Sequence, residues 1–126
     1  MTSNNYNGKM LLHDLDFMIR VAEFQIKYPQ TPNVYGIASD TLMLAKEISN
    51  WYSRDDILRF EEKREVVEAV RDLMPQFLDT LVVAFIHREK EAIGELKRIR
   101  DGISLLPDII TTQNANNKLL QQKARH

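Results

Sequence analysis

Between Gln76 and Leu106 the residues Leu78, Val82, Phe85, Ala92, Leu96, Ile99, Ile103 and Leu106 follow one another at gaps of four and three, with one gap of seven where Glu89 interrupts the line. Positions three and four apart share one face of an α-helix, so this spacing describes a heptad-like apolar seam. Read as one helix, it is about 45 Å long at roughly 1.5 Å per residue. A stripe of that length has to be covered by other helices or by another copy of the chain. The run Leu81-Val82-Val83-Ala84-Phe85-Ile86 taken alone could be a buried strand, but it sits in a periodic segment far longer than a strand, and length decides for helix.

Three more helical segments precede the seam. In the first, from about Lys9 to Tyr28, Leu11, Leu15, Met18 and Ala22 form one stripe and Phe17, Val21, Phe24 and Tyr28 a second, a face wide enough for two neighbours. Pro29 and Pro32 end it, since each lacks an N–H and pushes the preceding residue out of the α region. The second helix, from near Gly36 to Tyr52, aligns Ile37, Thr41, Leu44, Ile48 and Trp51, with Ala38, Leu42, Ala45 and Tyr52 beside them. Trp51 and Tyr52 close the core as a lid or anchor a partner. Ser53 followed by Asp55 and Asp56 is a helix-start signal, and the third helix then buries Ile57, Phe60, Val67, Val70 and Met74. Pro75 allows either a tight turn or a kinked continuation into the seam helix, and the turn is the favoured reading. Gly94 and Gly102 weaken that helix by about 1 kcal/mol each relative to Ala, with Gly102 or Pro107 as its end.

The expected fold is therefore all-α, an antiparallel up-and-down four-helix bundle with helices near 9–28, 36–52, 54–74 and 76–106. It has a long helix in its C-terminal half and a frayed tail. With 126 residues the chain makes one domain, 1–126, in which 1–8 and 108–126 are expected to be mobile. No stretch approaches the roughly 20 apolar residues of a membrane span, and no signal peptide is recognisable, so the expected setting is cytoplasmic, without membrane contact.

Little in the chain points to catalysis. It has no cysteine, which removes thiolate nucleophiles and cysteine-rich zinc sites, and it lacks a phosphate-binding glycine loop, a paired-histidine metal motif and a serine nucleophile motif. His13 has no second ligand at metal-binding spacing and reads as a partly exposed helix residue. The third helix carries an acidic strip in which Glu62 and Glu65, one turn apart, could hold Mg²⁺ as in all-α nucleotide pyrophosphohydrolases. Such enzymes need a second acidic pair on a following helix. Here Glu91 and Glu95 stand four apart and Arg98 follows Glu95, so a solvated charged face is the favoured reading. No cofactor, metal or catalytic residue is expected.

Interaction sites are better represented. Residues 97–126 hold six basic groups against Asp101 and Asp108, so this part carries +4 while the rest of the chain carries −5. Lys97, Arg98 and Arg100 are the candidate contacts for nucleic acid or an acidic partner, against the plainer reading of a solvated helix end. Phe17, Phe24, Tyr28 and Trp51 are the candidate contacts for self-association, because symmetric homo-oligomers are the commonest assemblies and bury apolar residues.

The junction Lys27-Tyr28-Pro29-Gln30, followed by Tyr35-Gly36-Ile37-Ala38-Ser39-Asp40, resembles the aromatic-Pro, then Tyr-Gly-Leu junction of the four-helix-bundle proteins encoded in 23S rRNA intervening sequences. A related branch comprises the accessory proteins of diversity-generating retroelements. Lys63 to Phe85, with Phe77-Leu78-Asp79-Thr80-Leu81, is similar to that family's third helix. The resemblance implies an antiparallel four-helix bundle, assembly into a ring-like homo-oligomer and, in the retroelement branch, a nucleic-acid-associated role. It supplies no catalytic residues. The function expected is that of a non-catalytic interaction or scaffolding bundle that self-associates and serves as an accessory factor to a nucleic-acid-processing partner.

Overall fold

The computed structural model describes residues 8–30, 32–53 and 64–106. They form four helices and, among the described residues, no strand: α1 (Gly8–Lys27), α2 (Val34–Ser53), α3 (Arg64–His87) and α4 (Lys90–Ser104). The architecture is an all-α four-helix bundle in which α2 packs on α3, α3 on α4, and α4 on α1, while α1 touches α2 and α3 more sparingly. Neighbours run antiparallel: Lys97 of α4 pairs with Glu23 of α1, and Arg100, further along α4, pairs with the earlier Asp16. Among the described residues no helix is long and apolar enough to cross a membrane.

The first stripe of α1 is core: Leu11, Leu15, Met18 and Ala22 are buried, together with Leu12 and Ile19. The second stripe lies about 120° round the helix from the first, at roughly 100° per residue, and turns outward. Residue Gly8, expected in a mobile end, is the buried first residue of α1. At its other end the Tyr28 N–H still donates to Phe24 O at 2.8 Å, and Pro29 prevents continuation. Asn33 then adopts a left-handed φ of 61°, and its carbonyl accepts the Ile37 N–H at 3.0 Å, opening α2. The end of the Asn33 side chain lies where a Cβ at position 36 would go, so a larger residue there would displace it. Gln25, buried on α1, donates from Nε2 to Val34 O at 3.1 Å and ties α1 to the start of α2.

The second half of the chain departs from the sequence reading in two places. Pro75 does not separate helices; it lies inside α3 on an exposed face. Val67, Val70, Met74, Phe77, Leu81 and Ala84 form one buried line through it. Each large apolar side chain buried contributes about 1.5–3 kcal/mol, so burial on both sides outweighs the roughly 3 kcal/mol an interior proline costs. The long seam helix is instead broken at the gap of seven. Arg88 takes a left-handed φ of 52° and Glu89 is extended, capping α4. The seam's second half behaves as expected, with Ala92, Leu96, Ile99 and Ile103 buried. Its first half does not: Leu78 and Phe85 are only partly buried and flank the core line.

Gly102 is not the stop of α4, which runs two residues further and closes with the Leu105 N–H on Asp101 O at 3.1 Å, just before Pro107. Ser53 is in the last turn of α2, where its hydroxyl donates to Asn50 O at 2.9 Å. The expected core residues Ile57 and Phe60, Glu62 of the acidic strip and the tail 108–126 lie outside the described residues. Arg71 of α3 donates from Nε to Tyr52 O at 2.8 Å and fixes the end of α2 against α3.

Candidate functional site

Lys97, Arg98 and Arg100 of α4 do not gather into a cationic patch. Arg100 makes a bidentate pair with Asp16, at 2.8 Å from Nε and 3.1 Å from Nη2, and reaches Asp101 at 3.4 Å. Its pKa is raised above the ordinary guanidinium value, chiefly by the hydrogen bond to Asp16, with burial working in the opposite sense. Lys97 pairs with Glu23 at 3.5 Å, and Arg98 with Glu95 one turn back. The shallow depression between α1 and α4 is lined by Arg20, Lys97 and Arg100 together with Asp16, Glu23 and Asp101, so three cations face three carboxylates. The +4 excess read along the chain ignores α1, whose carboxylates the antiparallel packing brings alongside.

The residues expected to mediate self-association divide. Phe17 is 46% exposed, Phe24 50% and Tyr28 49%, whereas Trp51 is 9% exposed and belongs to the core. Trp51 therefore acts as the lid of the bundle. The other three form a line on the outside of α1, with the Phe24 and Tyr28 rings tilted at 4.9 Å between centroids and Lys27 Nζ 5.5 Å from the Tyr28 ring. Phe17, Val21 and Phe24 border a cleft of about 450 Å³ whose far wall is Ile37 of α2. The cleft lies between α1 and α2, which pack together only sparingly.

One surface was not anticipated. A trough of about 690 Å³ runs between α2 and the C-terminal half of α3, walled by Tyr35, Leu42, Met43, Leu78, Phe85 and Ile86, with Lys46 and Arg88 on its rim. Its signal in the sequence is Leu78 and Phe85, whose spacing is helical but offset from the truly buried line of Phe77, Leu81 and Ala84. On α2 the corresponding signal is Tyr35, Leu42 and Lys46, at gaps of seven and four beside the buried Thr41, Ala45 and Ile48.

The acidic strip offers less. Among the described residues no three His, Asp or Glu side chains come together as a metal-binding group. Glu65 is exposed, Glu68 pairs with Arg64 at 3.2 Å, Glu91 is exposed and Glu95 is engaged by Arg98. His13 is exposed beside Asp14 at 3.7 Å. Comparison with known protein families, with curated proteins and with solved structures finds no match to this chain.

Proposed function

We propose that this protein is a non-catalytic helical-bundle interaction module that associates with a second copy of itself through the outer face of α1. The observation that carries this reading is the line of Phe17, Phe24 and Tyr28, each about half exposed on the side of α1 turned away from the core. A bundle already satisfied by its own core has no folding reason to place three aromatic rings there, and contiguous exposed apolar surface marks interaction sites. Symmetry supports a second copy as the occupant, because one self-complementary patch covers itself in a two-fold dimer. Arg20 and Lys27, seven apart, flank the stripe, while the neighbouring Asp16 and Glu23 are engaged by Arg100 and Lys97 of α4.

An accessory role beside a nucleic-acid-processing partner is supported by the resemblance of the α1–α2 junction and of α3 to the intervening-sequence and retroelement proteins. Because Lys97, Arg98 and Arg100 are already paired with carboxylates, that role runs through protein contact, not through a nucleic-acid patch on α4. Two measurements test the reading. Sedimentation at increasing concentration should show mass rising above the monomer. A panel of nucleotides with Mg²⁺ should show no turnover, and hydrolysis abolished by Glu62→Gln or Glu65→Gln would replace this reading with a pyrophosphohydrolase.

A further inference from the structure

We infer that the trough between α2 and α3 is a second, separate docking site, built for an amphipathic helix of another protein whose apolar stripe is bounded at both ends by acidic residues. The walls supply the apolar part: Tyr35 is 84% exposed, Met43 66% and Ile86 65%, and each faces the same trough as the half-covered Leu42, Leu78 and Phe85. An open trough between two helices accepts a third helix laid along it, the arrangement by which short amphipathic segments are commonly recognised.

The charges on the rim select the partner. Lys46 and Arg88 are the only charged residues lining the trough, and among the described residues neither is held by a carboxylate, unlike Lys97, Arg98 and Arg100 of α4. They stand at opposite ends. Because α2 and α3 run antiparallel, Arg88 at the end of α3 lies by the start of α2 near Tyr35, eleven positions before Lys46. Eleven residues of helix span about 16 Å and three full turns, so positions eleven apart return to nearly the same face. A matching ligand carries one acid, apolar residues three or four and seven or eight positions further on, and a second acid at the eleventh. Its carboxylates reach Lys46 and Arg88 while its apolar side chains enter the trough.

The same charges disfavour the stripe of a second copy of this chain. Phe17, Phe24 and Tyr28 are accompanied by Arg20 and Lys27, which would be set against Lys46 and Arg88, and like charges across an interface exclude a partner. The trough and the α1 stripe thus take different occupants, and failure of one assignment leaves the other standing.

The test is fluorescence anisotropy with two labelled peptides of about 18 residues, long enough to fold on the surface. One has four leucines on a single face and glutamates eleven apart on that face; the other replaces both glutamates with lysine. The glutamate peptide should bind the 126-residue chain at least about tenfold more tightly than the lysine peptide. Lys46→Glu should narrow or reverse that preference. Arg88→Gly should weaken the glutamate peptide while raising the thermal midpoint, because it removes the cation and relieves a left-handed residue together. Phe24→Asp, on the other face, should leave peptide binding unchanged. Equal binding of the two peptides, no saturable binding of either, or a change of oligomeric mass in Lys46→Glu without peptide binding would overturn the assignment, the last by giving the trough to a second copy.

Discussion

Arg100 of α4 and Asp16 of α1, 84 positions apart in the chain, meet through two hydrogen bonds of 2.8 and 3.1 Å and hold the first and last helices of the bundle together. The pair is partly exposed, at 29% for Arg100 and 43% for Asp16, so water and salt screen it. A double-mutant cycle of Asp16→Asn and Arg100→Gln in urea should give a coupling of about 0.5–1 kcal/mol that shrinks with added salt. The raised pKa of Arg100 fixes the sign of its pH dependence. Its contribution is complete below the unfolded guanidinium value and is lost only as pH rises through the higher folded value, so the arginine introduces no pH dependence in the neutral range.

Arg88 links α3 to α4 with a φ of 52°, a conformation that costs a residue with a Cβ about 1–2 kcal/mol. Glycine removes that cost but adds chain entropy to the unfolded state. Arg88→Gly should therefore stabilise the fold by about 0.5–1 kcal/mol in chemical denaturation. Destabilisation would show that the arginine side chain holds the turn.

Gly94 and Gly102 are exposed on α4, and a Cβ at either would meet nothing within 4 Å. Gly94→Ala and Gly102→Ala should each gain about 0.5–1 kcal/mol, and the gains should add, because the sites share no partner. Thermal unfolding of the two single variants and the double variant measures this.

Pro75→Ala separates the two placements of this residue. In the interior of α3 the substitution restores a hydrogen bond to the carbonyl of Arg71 and should stabilise by about 1 kcal/mol or more. In a turn just before a helix, the placement favoured from sequence alone, proline is comfortable and the same change would be nearly neutral.

The parts of the fold legible in the sequence are those where one periodic signal acts alone. The core line of α1, the stop at Pro29 and the stripe Ala92, Leu96, Ile99 and Ile103 of α4 follow from spacing and from proline chemistry. Pro75 misleads because a local cost was weighed without the burial of Met74 and Phe77 on either side of it. The true break was visible as the gap of seven at Glu89, but a left-handed arginine is an uncommon turn residue and gives no compositional signal. For the surfaces, the exposure of Phe17, Phe24 and Tyr28 was legible as a second stripe beside the core line of α1. Trp51 was not separable from them, since its helical position suits both a lid and an anchor. The pairing of Lys97 and Arg100 with α1, and the trough on α2 and α3, depend on which helices become neighbours, and spacing within one helix carries no such information.

The measurement that bears most directly on the central claim is the mass of the protein in solution, by light scattering during size exclusion, for wild type and for the double variant Phe17→Ser, Phe24→Asp. Both positions are half exposed and outside the core, so circular dichroism should confirm that the variant keeps its helices. At about 50 µM the wild type should elute as an assembly of two or more chains of 14.7 kDa, and the variant as a single chain. A wild type that remains at 14.7 kDa at that concentration, or a variant that assembles as the wild type does, would contradict the account.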